Sequence, residues 1–204
     1  MGFYREQILP RVVDKALGNA EVRKWRERTV SGLAGEIVEI GFGSGLNIPV
    51  YTDEITSVHA IDPAVVGRKL AQKRLDASPV KVLFEGLDGE ALPLDDGSVD
   101  GALCTFTLCT VPNPERAITE IHRVLRPGGR FHFLEHGLAP DPSVAKWQHR
   151  LDPIQRRLFD GCHLSRDSSA LVAAGGFDVV EIEQQYAKGP KPFSYFTRAA
   201  AVRR

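Results

Sequence analysis

The stretch VEIGFGSGLNIPVY, Val38 to Tyr51, decides the fold. An apolar run that reads as a buried strand leads into three glycines at alternate positions, Gly41, Gly43 and Gly45. Glycine adopts dihedrals closed to other residues and lets a ligand approach the main chain. A bare turn placed directly after a strand is where parallel sheets receive nucleotide-like groups.

Outward from this loop the pattern alternates. Strands are expected at 36–40, 57–61, 80–84, 99–104, 130–134, 177–183 and 193–202. Helices fall between most of them: Val65 to Leu75, a stretch opened by Asn113-Pro114 and stopped at Pro127-Gly128-Gly129, and one capped by Ser165 and stopped at Gly175-Gly176. Such alternation predicts a mostly parallel sheet covered on both faces. Residues 3–33 read as two helices broken at Gly18-Asn19, with seven Lys/Arg against four Asp/Glu. The expected role of residues 1–34 is to pack on and cap the site of a 35–204 domain, with contact to a membrane surface as the alternative.

Composition narrows the function classes. The 204 residues carry 26 basic and 26 acidic side chains, so no positive field marks a nucleic-acid binder. Three cysteines without a C-x-x-C spacing argue against a disulfide framework or a zinc ribbon and fit a reducing cytoplasm. The first residues lack the apolar run of a signal peptide, and no stretch approaches membrane-spanning length.

The cofactor follows from what surrounds the glycines. Asp62 ends the second strand, 21 residues after Gly41, where a carboxylate meets a ribose diol. Leu46 stands where a dinucleotide motif would place its third glycine, and Asn47, Ile48 and Pro49 allow about one helical turn. A pyrophosphate needs a true helix N-terminus; a ribose-bearing ligand without phosphate, such as S-adenosyl-L-methionine, does not. Asp88 follows the third strand, where it can accept from an adenine amino group, with Gly89 beside it and Leu92, Pro93 and Leu94 as an apolar wall.

The segments EIGFGSG, AIDPA, DGEALPLDDGSVDGALCTFTLC and EIHRVLRPGGRFHFLEH, in that order over residues 36–136, resemble the class I S-adenosylmethionine-dependent methyltransferases of the small-molecule, quinone-methyltransferase-like group. WQHRLDPIQRRLFDGCHLSRD resembles the alkyl-thiol methyltransferases, whose Asp-Gly-Cys run precedes the last helix. Residues 1–34 do not resemble the membrane-anchoring N-terminus of the mammalian kind, so no lipid-facing role is expected from that resemblance. The resemblance implies a seven-stranded sheet ordered 3-2-1-4-5-7-6 with the last strand antiparallel. It also implies that Gly41, Gly43 and Gly45 line the methionyl portion, with Phe42, Asn47 and Pro63 also in the cofactor site. Asp62 then takes the ribose, Asp88 and Gly89 the adenine, and Thr105 and Phe106 sit beside the cofactor, whose product is S-adenosyl-L-homocysteine.

Methyl transfer from a sulfonium is an in-line displacement in which the protein chiefly positions the reactants. Two features offer an acceptor site. Glu135-His136, just past the fifth strand, are the candidate bases. Asp160-Gly161-Cys162-His163 offers an Asp–His pair, with Cys162 as a pocket wall. No metal is expected, because a metal needs three or four convergent ligands. A helix with Val144, Trp147, Leu151, Ile154 and Leu158 at spacings of three and four, bent at Pro153, reads as core packing and as a lid. Trp147, Phe106, Phe193 and Tyr195 would then form a pocket for a small hydrophobic acceptor. His59, His122, His132, Cys104 and Cys109 read as packing residues. Quinone or phenol methylation, nicotinamide oxidoreduction and non-catalytic cofactor binding stand as alternatives. No Asp/Asn-Pro-Pro-Tyr follows strand four and no Pro-Cys nucleophile is present, which excludes the common nucleic-acid methyltransferase patterns.

Overall fold

The computed structural model describes residues 2–204. Seven strands form one sheet: β1 (Gly35–Ile40), β2 (Ile55–Ile61), β3 (Lys81–Gly86), β4 (Val99–Thr105), β5 (Leu125–His136), β6 (Phe177–Tyr186) and β7 (Tyr195–Arg203). Their spatial order is 3-2-1-4-5-7-6. The first five run parallel, and β7 is antiparallel to both β5 and β6. The expected topology is therefore observed. The central strands are buried on both faces, which accounts for continuous runs such as Ile37–Val38 and Ala102–Leu103–Cys104.

The helices are α1 (Leu9–Leu17), preceded by a wide π-helical turn at Tyr4–Ile8, α2 (Ala20–Val30), α3 (Val65–Asp76), α4 (Pro114–Val124), α5 (Pro142–Leu158), α6 (Ser168–Ala174) and the single turn α7 (Lys191–Ser194). Local chemistry sets their starts. Asn19 accepts from the backbone N–H groups of Glu21 and Val22, and Asn113 accepts from that of Arg116. Ile118, Ile121 and Val124 of α4 enter the main core with Phe131, Phe133 and Phe177.

Four expectations are corrected. α6 is capped by Asp167, whose carboxylate accepts from Ala170 N–H, rather than by Ser165. α4 ends at Val124, and the chain passes Pro127-Gly128-Gly129 already in β5, with a register shift opposite Val99/Gly101. The expected last strand opens instead with α7, because Pro190 and Pro192 favour a helical turn before the ladder begins at Tyr195. α5 runs unbroken through Pro153 and buries Val144, Gln148 and Asp152, while Trp147, Ile154 and Leu158 of the apolar stripe stay exposed. Gln148 donates to the carbonyls of Gly137 and Pro192 and accepts from Ala139 N–H, so the inward face is held by hydrogen bonds.

The two N-terminal helices differ. α2 buries Val22, Trp25, Arg26, Thr29 and Val30, whereas α1 buries only Leu9 and leaves Ile8 and Val12 outside. No helix among the described residues is long and apolar enough to cross a membrane.

Candidate functional site

The carboxyl ends of β1, β2 and β4 bring the glycine loop, Asp62 and the post-β4 loop together. Gly41 (φ 76°), Gly43 (φ 54°) and Gly45 (φ 70°) all lie in the left-handed region that favours glycine. Each does separate work. A Cβ on Gly41 would stand 1.8 Å from Thr107 Oγ1, so Gly41 lets the post-β4 loop close down. A Cβ on Gly45 would meet Ile48 at 2.6 Å and Ala71 at 3.1 Å, so Gly45 lets α3 pack. A Cβ on Gly43 would meet only Gly41 O, at 3.9 Å, which leaves that face of the backbone open to a ligand.

Asp62 sits beside this face. Its Oδ2 accepts from Gly43 N–H at 2.7 Å and its Oδ1 from Ala64 N–H at 2.6 Å. Burial raises its pKa, and those two N–H groups hold it down. Each carboxylate oxygen keeps a second lone pair for a ribose hydroxyl. Asp88 is exposed, and its Oδ1 accepts from Glu90 N–H at 2.8 Å. A Cβ on Gly89 would lie 2.6 Å from Ile40, so the absent side chain lets the Asp88 loop approach the end of β1.

Beneath the loop lies a buried polar network that sequence reasoning missed. Arg26, 4% exposed, reaches from α2 to Asn47 Oδ1 (2.8 Å) and Thr105 Oγ1 (2.6 Å). Asn47 donates to Glu39 Oε1 at 3.0 Å, and Tyr51 donates to Glu39 Oε2 at 2.5 Å. Asn47 and Thr105, both expected to line the cofactor, are tied into this buried network. Phe42 packs edge-on against Phe84, and Phe106 (φ 56°) packs against Phe196. Burial pushes the Glu39 carboxyl up to about 7 and the Arg26 guanidinium down to about 10, each partly restored by the other's charge. A carboxyl whose folded pKa is raised binds a proton in the native state that the unfolded chain has released. Stability from Glu39 is therefore fullest below its ordinary range and falls as pH rises toward 7. Glu39→Gln should flatten stability between pH 5.5 and 7.5 by up to about 2 kcal/mol relative to the parent, read from denaturant midpoints.

The acceptor-side residues are rearranged. Glu135 and His136 are the last residues of β5, paired with Thr197 and Phe196. The Glu135 carboxylate is fully buried and accepts from the N–H groups of Thr107 (2.8 Å), Leu108 (3.0 Å) and Cys109 (3.1 Å). It pins the post-β4 loop and is not placed as a base. His136 Nε2 lies 2.9 Å from Cys162 Sγ. Asp160 and His163 do not pair: Asp160 meets Arg5 at 3.1 Å, and His163 Nδ1 meets Asp152 at 3.3 Å. The aromatic pocket also separates. Phe106 joins Trp25 and Phe196, Tyr195 joins Ala139 and Val144, and Trp147 (54% exposed) and Phe193 (42%) face outward. Helical spacing alone cannot say which side of α5 meets the sheet.

The model of the methyltransferase domain family matches residues 38–133. The thiol S-methyltransferase TMT1A of Homo sapiens is 38% identical over 153 residues, which cover 72% of this chain and 62% of the relative. The thiol S-methyltransferase TMT1B of Rattus norvegicus is 33% identical over 175 residues, covering 82% of this chain and 69% of the relative. The chain belongs to the S-adenosylmethionine-dependent methyltransferase family. It spans about two thirds of the length of these relatives. A solved S-adenosylmethionine-dependent methyltransferase of Thermotoga maritima, described as a possible histamine N-methyltransferase, superposes with a TM-score of 0.68 at 22% identity, over 97% of this chain and 99% of that one. That likeness shows the shared fold of this methyltransferase. The open Gly43 face and the adjoining Asp62 carboxylate fit the family's cofactor, S-adenosylmethionine.

Proposed function

We propose that this methyltransferase transfers a methyl group to the sulfur of a small hydrophobic thiol. The observation that carries this reading is that every candidate base already holds a protein partner on at least one of its polar atoms. Glu135 is filled by three backbone N–H groups, His136 Nε2 by Cys162, His163 by Asp152, and Asp160 by Arg5. A thiol, with a reference pKa of about 8.5, ionises without strong help, whereas a phenol near 10 or a quinone carbon needs a base. The thiol names of the curated relatives support the same acceptor atom.

S-adenosylmethionine, when bound, supplies a methyl group already activated on a sulfonium. In this reading the chain binds and orients. Gly43 presents bare backbone, Asp62 takes the ribose hydroxyls, Asp88 with Gly89 takes the adenine edge, and Thr107 closes over Gly41. Helix α2 caps the site from beneath through Arg26. The test is isotopic: with methyl-labelled cofactor and parallel panels of thiols, phenols and quinones, thioethers should carry the label. Labelling confined to phenols or quinones would refute the sulfur assignment. Asp62→Ala should weaken S-adenosylhomocysteine binding by about 1–3 kcal/mol, the range for leaving polar partners unpaired, as read by calorimetric titration. Unchanged affinity would remove Asp62 from the site.

Surroundings follow the same reading. Three free, buried cysteines support a reducing, cytoplasmic setting, and the zero net charge supports a small molecule rather than a nucleic acid as partner. Phe3, Ile8 and Val12 are exposed beside Arg5, Arg11 and Lys15, which supports contact with an anionic membrane surface. Val12→Glu should lower co-sedimentation with phosphatidylserine vesicles severalfold, and equal recovery would exclude that contact.

A further inference from the structure

The expectation of no metal rested on the lack of convergent ligands, and the fold supplies three. Cys109 comes from the post-β4 loop, His136 from the end of β5, and Cys162 from the segment after α5. Their ligand atoms lie within 4.8 Å of one another. We propose that Cys109 Sγ, His136 Nε2 and Cys162 Sγ form a binding site for a thiophilic divalent cation, Zn²⁺ in the first instance.

Geometry and donor chemistry support this. The two sulfurs are 3.8 Å apart. Two Zn–S bonds of about 2.3 Å at the tetrahedral angle span about 3.8 Å, so the thiols already stand at a tetrahedral edge. His136 Nε2, at 2.9 Å from Cys162 Sγ, needs to withdraw by about 0.6 Å to complete a third vertex. Paired thiolates and an imidazole select zinc over the hard cations. With three protein ligands, the fourth position falls to water or a thiolate, the arrangement of catalytic rather than structural zinc.

The trio is also held in place. Cys109 N–H is bound by Glu135, and Cys109 O accepts from His163 N–H at 2.8 Å, which clamps the two cysteine loops together. Arg166 donates to Val111 O at 3.0 Å and to Leu108 O, tightening the same joint. The turn delivering Cys162 uses Asp160 and Gly161 in the left-handed region (φ 48° and 91°). Gln155 Nε2, 3.6 Å from Cys162 Sγ, is an outer donor to that sulfur. Cys109 and Cys162 are buried, and His136 is half-buried.

The test uses Co²⁺ as the probe on the full chain, reduced and freed of metal by chelation. One equivalent should give a thiolate-to-cobalt charge-transfer band and the intense visible bands of a tetrahedral ion, both abolished by Zn²⁺. Cys109→Ser and Cys162→Ser should each weaken binding by about a hundredfold or more, at or beyond the upper end of the effect of losing an outer partner. His136→Ala should also weaken it, and Cys104→Ser, whose thiol lies outside the trio, should bind as the parent does. Thermal unfolding of each variant separates ligand loss from misfolding. No charge-transfer band, bands indifferent to the two cysteines, or a Cys109–Cys162 disulfide in a protein that ignores metal after reduction would each overturn the proposal. The readout needs neither cofactor nor acceptor, so it stands apart from the thiol assignment.

Discussion

Glu135→Ala is expected to destabilise the protein by about 3–5 kcal/mol, read from urea unfolding. The variant removes the acceptor of three backbone N–H groups, on Thr107, Leu108 and Cys109, around a side chain with no solvent exposure. Each orphaned donor costs about 1–3 kcal/mol, reduced where water enters the space left by the side chain. Burial raises the Glu135 pKa, and the same three N–H groups oppose that rise by favouring the carboxylate. Glu135→Gln keeps one carbonyl oxygen but turns an NH₂ toward N–H donors, so an intermediate loss is expected. A loss under about 1 kcal/mol for the alanine variant would mean that the post-β4 loop holds itself.

Gly43→Ala is expected to separate stability from binding. Alanine at φ 54° carries left-handed strain of about 1–2 kcal/mol. The added methyl touches nothing closer than 3.9 Å, so the fold should bear no further cost. If the cofactor lies on that face, S-adenosylhomocysteine affinity falls by about a hundredfold or more, because the methyl occupies the space of the ligand. The same substitution at Gly41 or Gly45 strikes Thr107 or Ile48 and confounds the two effects. A Gly43→Ala protein with parental affinity would move the cofactor elsewhere.

The sheet was legible because its signals are local: apolar runs, glycines at the strand ends, and asparagine caps all lie within a few residues of what they specify. Seven strand positions and the glycine loop could be read that way. The Arg26–Asn47–Glu39–Tyr51 network could not, because Arg26 arrives from a helix 21 residues before Asn47 and carries no motif. The one available signal was Glu39 itself, an acid set between the apolar Val38 and Ile40 at the buried end of β1. Glu135 shows the opposite failure. A carboxylate at the end of a central strand reads alike whether it meets a substrate or three backbone donors, and only the loop's path decides. The trio of Cys109, His136 and Cys162 spans three segments, so no spacing could announce it. Phe193 and Ser194 read as strand with Tyr195 and Phe196, yet Pro190 and Pro192 turn the chain first and the strand begins at Tyr195.

The account stands most directly on where Asp62 points when the cofactor is bound. A crystal structure with S-adenosylhomocysteine measures it. The account predicts the ribose hydroxyls within about 2.6–3.2 Å of the Asp62 carboxylate, with the methionyl chain over Gly43. A ribose held elsewhere, with Asp62 still bonded only to Gly43 and Ala64, would contradict it.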